Sequence, residues 1–423
     1  MRTLPFLSAS LLVICSAFSV EAQTLNVTTI TFSGDTISSA DLQAASGLKP
    51  GQLDAAQVQA AAQRLNNSGL FSHIDFAVRG AVLQFQLTPA TGRLPVRFEN
   101  FPWWTDNALI ETVHAALPLF HGSVIPGTGL DQQVADTLTG LLAKQQVTAS
   151  VESHPEIAQG AAGPTAVRYR IATPGIMVGT VTLNGESEAM STELAPIAKA
   201  ASGEPYDAYV TPDLLQQAIR SVYGNHGYLD AAISRVAHGE PSADASGFAV
   251  PMALQIVEGA QYRLETMRFG HPLLLSEAEF QAKSSLHAGD VANQELLRRS
   301  LLLIGIPYRK QGYLDAKIMG TPSLDTAAKK VSYTIQVEPG AIYHFGKLSL
   351  VNVTDAQSEA FLKSWKVQAG DVYDATYPPG FLTANAKSLH AWEGYGATYR
   401  EIRHLDTHIV DLEVTCLKNP SQH

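Results

Sequence analysis

The chain has 423 residues, 45% of them hydrophobic and only 16% charged, with a formal net charge of -10. That acidity argues against nucleic acid, whose phosphates would repel it, and against adhesion to anionic lipid through a basic patch. The only cysteines, Cys15 and Cys416, are too few for a disulfide framework, and the length exceeds what one ordinary core holds.

The chain opens on an export signal. Arg2 supplies a positive start, Leu4 to Val13 is an apolar run too short to span a bilayer, and Val20-Glu21-Ala22 puts small residues where a signal peptidase reads. A signal peptide of residues 1–22 is expected, with Gln23 as the mature start. Lipidation would use Cys15, but Ile14 before it is too large for that processing. Removing 1–22 takes away Arg2 and Glu21, so the charge stays at -10, and it leaves Cys416 as the one thiol. No later segment approaches the about 18 consecutive apolar residues of a membrane helix. No transmembrane segment is expected after the signal is removed.

The first module, 23–91, reads as a strand at Val27–Phe32, helices at 38–45 and 54–67, then strands at His73–Val78 and Val82–Leu87. Val58, Ala61, Ala62 and Leu65 align on one helical face. The second, 92–173, is divergent: Pro95–Glu99 as strand, Asp106–Leu117 as helix, a helix at 130–145 with Val134, Leu138 and Leu141 aligned, and strands at Val147–Val151 and Ala166–Ile171. The third, 174–259, is the clearest. Met177–Leu183 is strand-like and ends in the Asn184-Gly185 turn signal. A short helix at 190–200 follows, then a second at 211–225 with Leu215, Ala218, Ile219 and Val222 at helical spacing. Gly227 suits the left-handed position that ends such a helix, and strands are expected at Tyr228–Val236 and Ala249–Val257. The fourth module is 260–340, where Pro307 should kink or stop the long helix. The fifth is 341–417, followed by a tail at 418–423. The fold class is α+β: a tandem array of about five βααββ modules, each a three-stranded mixed sheet with two helices on one face, burying one side of the sheet and a stripe of each helix.

Three landmarks recur in fixed order about every 80 residues. Tyr223-Gly224-Asn225-His226-Gly227-Tyr228-Leu229-Asp230-Ala231 is echoed by Tyr308-Arg309-Lys310-Gln311-Gly312-Tyr313-Leu314-Asp315-Ala316, and more loosely at 68–72 and 393–397. Val257-Glu258-Gly259 followed by Tyr262 is echoed by Val337-Glu338-Pro339-Gly340 followed by Tyr343. A short Gly-containing turn ahead of a helix recurs at Lys49–Gln52, Ser202–Tyr206, Ala288–Asp290 and Ala369–Tyr373.

The βααββ order, the Gly-Tyr-Leu-Asp-Ala segment and the Glu-Gly-x-x-Tyr opener resemble polypeptide-transport-associated (POTRA) domains. In the second module Phe98-Glu99-Asn100-Phe101 stands where the usual Gly turn would be. The resemblance implies a periplasmic arm of an outer-membrane protein assembly or translocation factor. In that family such arms precede a transmembrane barrel, which needs at least about eight strands of about ten residues each. With only a few residues after the last expected strand, no barrel is expected within these residues.

No catalytic constellation is legible. His-Glu-x-x-His, Gly-x-Ser-x-Gly and phosphate-loop patterns do not occur. His404 and His408 stand four apart, but in a segment that alternates like strands. No catalytic residue, metal site or cofactor is expected, and the chain is not expected to be an enzyme. Asp230 and Asp315 read as turn or surface residues, Tyr228 and Tyr313 as packing. Adjacent Trp103 and Trp104, after Pro102, cannot both face one core, so one is a candidate exposed binding anchor. A small sheet also has edges that can accept an extended peptide as an added strand. The edge candidates are Ile233, Ser234 and Val236 in the third module and Lys317, Ile318 and Met319 in the fourth. The implied partners are unfolded outer-membrane proteins, or a separate β-barrel or lipoprotein, with no nucleic acid. The implied location is the periplasm, with any hold on the outer membrane coming through a partner. The alternative is a structural envelope spacer or adaptor that handles no clients.

Overall fold

The computed structural model describes residues 24–244, 247–385 and 395–418. The expected signal peptide, part of the 393–397 landmark and nearly all of the tail lie outside the described residues.

The described elements form five successive β-α-α-β-β runs. The first comprises β1 (Leu25–Val27), β2 (Thr29–Ser33), α1 (Ser39–Ser46), β3 (Gly51–Leu53), α2 (Ala55–Asn67), β4 (Phe71–Arg79) and β5 (Val82–Pro89). The second has β6 (Leu94–Phe98), α3 (Asp106–Ala116), β7 (Ser123–Val124), α4 (Gly129–Lys144), β8 (Ser150–Glu156) and β9 (Ala166–Thr173). The third has β10 (Gly175–Asn184), α5 (Glu188–Ala201), α6 (Thr211–Asn225), β11 (Ala232–His238), β12 (Ser242–Ala243) and β13 (Gly247–Val257). The fourth has β14 (Arg263–Phe269), α7 (Glu277–Lys283), α8 (Gln294–Lys310), β15 (Lys317–Asp325) and β16 (Lys330–Glu338). The fifth has β17 (His344–Val351), α9 (Asp355–Ser364), α10 (Tyr377–Asn385), β18 (Tyr395–His404) and β19 (Ile409–Lys418).

One strand order recurs: β2-β5-β4, β6-β9-β8, β10-β13-β11, β14-β16-β15 and β17-β19-β18. The last strand of each run is central. In the first, second, fourth and fifth runs it lies parallel to the first strand and antiparallel to its hairpin partner. The central strands alternate buried and exposed residues, as at Val331, Tyr333, Ile335 and Val337, because a strand with one covered face needs apolar side chains at period two. In the fourth run that face meets Phe280 of α7 with Leu297, Ile304 and Tyr308 of α8. Helix starts are set locally. Asp54 with Gln57, Ser276 with Glu279 and Thr354 with Gln357 form reciprocal capping boxes, which satisfy amide groups that the helix itself leaves free.

Three expected boundaries are corrected. The strand after Gly227 begins at Ala232, not Tyr228, because Tyr228–Ala231 is a turn committed to the next run. The strand expected at Val147 begins at Ser150: Gln146 takes φ 61° and the Val147 amide closes back on Leu142, so Val147 is buried at the helix end. Helix α8 passes through Pro307 to Lys310 rather than stopping there. Pro307 forfeits only its own amide bond, and the turn after it still closes through the Gln311 amide to the Pro307 and Tyr308 carbonyls.

By compactness the chain divides into two units. One holds the residues up to Thr182 with Ala200–Asp213 and Ala237–Ala253; the other holds Leu183–Lys199, Leu214–Val236 and the residues from Leu254 on. The division runs through the third run, whose three main strands each pass from one unit to the other. Among the described residues the sheets are small and open, and no helix is long and apolar enough to cross a membrane.

Candidate functional site

The two edges of each sheet differ. The segment between the two helices, which in four of the runs carries the recurring Gly-containing turn, folds against the start of its run in every case. β3 pairs with β1 and β7 with β6, and single bridges join Met177 to Pro205, Arg263 to Val291 and His344 to Val372. In the last three runs the bonds are equivalent. Tyr206, Ala292 and Tyr373 donate their amides to the carbonyls of Ile176, Tyr262 and Tyr343. Val178, Leu264 and Phe345 donate theirs to Glu204, Asp290 and Asp371. The first-strand edge is therefore partly occupied by the chain itself.

The opposite edge is formed by β4, β8, β11, β15 and β18, and no described strand pairs with its outer side. Ile233, Ser234 and Val236 lie on β11, and Lys317, Ile318 and Met319 on β15, so both triplets are on open edge strands. Ile233, Val236 and Ile318 are half-buried, whereas Ser234, Lys317 and Met319 are exposed. On β15 the register sets Lys317 opposite Glu338, Ile318 opposite Val337 and Met319 opposite Gln336.

The Tyr-Leu-Asp-Ala landmark forms the joint to the following run. Leu229 packs against the core of the fourth run, and Leu314 belongs to the core of the fifth. Asp230 accepts the Tyr262 hydroxyl at 3.1 Å and the Ala260 amide at 3.2 Å. Asp315 accepts the Tyr343 hydroxyl at 2.7 Å. The carboxylate side chain of one landmark thus holds the tyrosine of the next opener. The Tyr343 hydroxyl is pushed above the usual phenol range by that bond and then by burial; at Tyr262 burial is the larger cause and Asp230 the second. Gly227 and Gly312 make the approach possible. Their φ angles are +80° and +82°, and a Cβ would stand 2.9 Å and 2.8 Å from the Tyr262 and Tyr343 carbonyl oxygens. Those tyrosine amides in turn donate to the Gly227 and Gly312 carbonyls.

Between the second and third runs the joint is built differently. The Arg168 guanidinium reaches Asp207 at 2.6 Å, Glu156 at 3.1 Å and Glu99 at 3.6 Å. Arg97 and Arg168 lie 5.2 and 5.5 Å from the centre of the Tyr209 ring, whose hydroxyl contacts Asp106 and the Phe98 amide. The Arg168 hydrogen bond is the main cause holding Glu156 below the ordinary carboxylate range, with burial opposing it. Trp103 and Trp104 lie in the connection between β6 and α3. Both are half-buried rather than one being exposed, since Trp103 sets its edge against Phe248 at 5.1 Å.

Sequence reading assigned Asp230, Asp315, Tyr228 and Tyr313 to turns and packing. It missed that two separate landmarks bind each other, although their fixed order was the available signal. It also missed the grouping of Asp41, His114 and His121, which no spacing rule connects.

Residues 270–340 match the model of the POTRA family, a surface antigen variable number repeat. The other runs share the element order and strand order of this stretch. Over 157 residues, 37% of this chain, the sequence is 27% identical to a putative outer membrane protein assembly factor of Treponema pallidum (strain Nichols). The match spans 19% of that relative's length. Among solved structures, POTRA3-5 of Haemophilus influenzae BamA is 20% identical with a TM-score of 0.40, covering 57% of this chain and 96% of that one. The N-terminal domain of Omp85 from the thermophilic cyanobacterium Thermosynechococcus elongatus is 14% identical with a TM-score of 0.24, covering 57% and 97%.

Proposed function

We propose that this chain works in outer-membrane protein assembly as a non-catalytic periplasmic scaffold of five POTRA-like modules, 23–91, 92–173, 174–259, 260–340 and 341–417. In this reading it receives extended client segments as an added strand on the β11 and β15 edges. The observation that carries the reading is the asymmetry of the sheets: one edge is partly occupied by the chain's own inter-helix segment, while no described strand pairs with the outer side of the opposite edge strand. An unpaired edge presents amide and carbonyl groups to an extended peptide, and main-chain bonding tolerates many sequences. Clients whose segments become barrel strands suit such an edge, and the assembly-factor relative is consistent with them.

The test uses the full chain with a photo-crosslinking side chain at Met319 and a peptide taken from an outer-membrane β-strand. Successive amides along a strand point to opposite sides, so one of two proline substitutions, at Ile318 or at Met319 with the crosslinker moved to Thr321, removes an outward donor. That variant is expected to keep its melting temperature and lose crosslinking several-fold, while alanine at the same position changes little. Peptide crosslinking that ignores both prolines sinks the strand-addition reading. If no peptide crosslinks while a folded barrel protein or lipoprotein is captured, the chain is a docking arm. If neither is captured, the envelope-spacer reading stands.

A further inference from the structure

We propose that Asp41, His114 and His121 form a binding site for a divalent transition-metal ion of the zinc type, clamping the first β-α-α-β-β run to the second. Asp41 lies in the first turn of α1, His114 in the last turn of α3, and His121 in the connection to β7. One donor atom from each lies within 4.8 Å of the other two. The His114 Nε2 is 3.8 Å from Asp41 Oδ1, and the His121 Nε2 is 3.4 Å from Asp41 Oδ2. Tetrahedral zinc with bonds of about 2.0–2.1 Å requires neighbouring donors about 3.3–3.4 Å apart. The two histidine-to-carboxylate separations come within about half an ångström of that spacing, each to its own carboxylate oxygen.

The surroundings orient the donors. His114 Nδ1 lies 3.0 Å from the Phe120 carbonyl oxygen. A carbonyl can only accept, so Nδ1 carries the hydrogen, and in the neutral ring the Nε2 lone pair faces Asp41. At 3.8 Å that nitrogen makes no hydrogen bond to the carboxylate. Asp41 is held as well: Ser38 Oγ donates to Asp41 Oδ2 at 2.7 Å and accepts the Asp41 amide at 3.1 Å. A ligating imidazole fixed through its other nitrogen, beside a ligating carboxylate fixed by a hydroxyl, is the usual outer arrangement of a metal site.

The two imidazole rings are 4.6 Å apart between centres, and both stand at the one carboxylate. Two imidazole nitrogens with one carboxylate select zinc, nickel or copper over calcium and magnesium, which take oxygen ligands. The three side chains are 22%, 36% and 45% exposed, so an ion can reach them from solvent and water can complete its shell.

The experiment takes the untagged full chain, stripped with a chelator, and titrates it with zinc chloride by calorimetry and with cobalt(II) chloride by visible spectroscopy. One saturable zinc equivalent and cobalt bands of a low-coordinate nitrogen and oxygen site are expected. H114A and H121A should each weaken zinc binding about tenfold or more, and S38A less; H73A, which changes an exposed histidine elsewhere, should leave it unchanged. Circular dichroism melts in chelator that match the wild type establish that the variants fold. The proposal is overturned if the wild type takes up no zinc saturably in large molar excess. It is equally overturned if the folded H114A/H121A double variant binds the same equivalent with the same affinity.

Discussion

The joints into the fourth and fifth runs are copies of one another, whereas the joint into the third is of another kind. In the copies, a neutral tyrosine hydroxyl meets one carboxylate, a leucine enters the next core, and a glycine lets the backbones close. In the other, one guanidinium serves Glu99, Glu156 and Asp207 under an aromatic ring. The first kind depends on backbone shape and packing, with a carboxylate-to-tyrosine hydrogen bond to set direction. The second depends on charge balance among partly buried groups, which makes it sensitive to the loss of one residue.

That contrast orders the expected effects. Arg168→Ala should be the most damaging, because three poorly solvated carboxylates lose their shared cation; a cost of about 3 kcal/mol is expected in denaturant melts. A melt shifted by less than about 1 kcal/mol would show that water screens those carboxylates after all. Gly312→Val comes next. It forces a β-branched residue to a left-handed φ and drives its Cβ toward the Tyr343 carbonyl, for a loss of about 2 kcal/mol. Gly227→Val should behave alike if the two joints are truly equivalent, and unequal melts would break the comparison.

Removing the Tyr343 hydroxyl by Tyr343→Phe should cost about 1 kcal/mol, as one hydrogen bond to a carboxylate is lost. Hydrogen exchange should quicken around 312–316 and 343–345, leaving 260–300 unchanged. The smallest effect is in pH, and its sign separates the joints. Glu156 is held below its ordinary 4.5 by Arg168, so its contribution is present above that value and lost as the pH falls through the lower folded-state value. Tyr343 is raised above its ordinary 10.0, so its contribution is present below 10 and lost as the pH rises beyond it. Exchange at 97–99, 156 and 168 should therefore quicken on acidification, and exchange at 343–345 on strong alkalinisation. The same segments responding in the opposite order would refute the assignment of causes.

Local patterns determined much of this molecule. Helix α6 falls at 211–225, where Leu215, Ala218, Ile219 and Val222 place it, and β5 starts at Val82, because period 3.6 and period 2 are properties of neighbouring residues. The left-handed glycines were legible for the same reason: only glycine takes positive φ without steric cost. The candidate edge residues could also be found, since the strand between helix and hairpin carries its own pattern. Partnership was not legible. That Asp315 waits for Tyr343, that the Gly-containing turn covers one sheet edge while β15 keeps the other open, and that Asp41 meets His114 and His121 were decided by tertiary structure. Each depends on bringing distant segments within hydrogen-bonding or coordination distance, and the residue types alone carry no measure of distance in space.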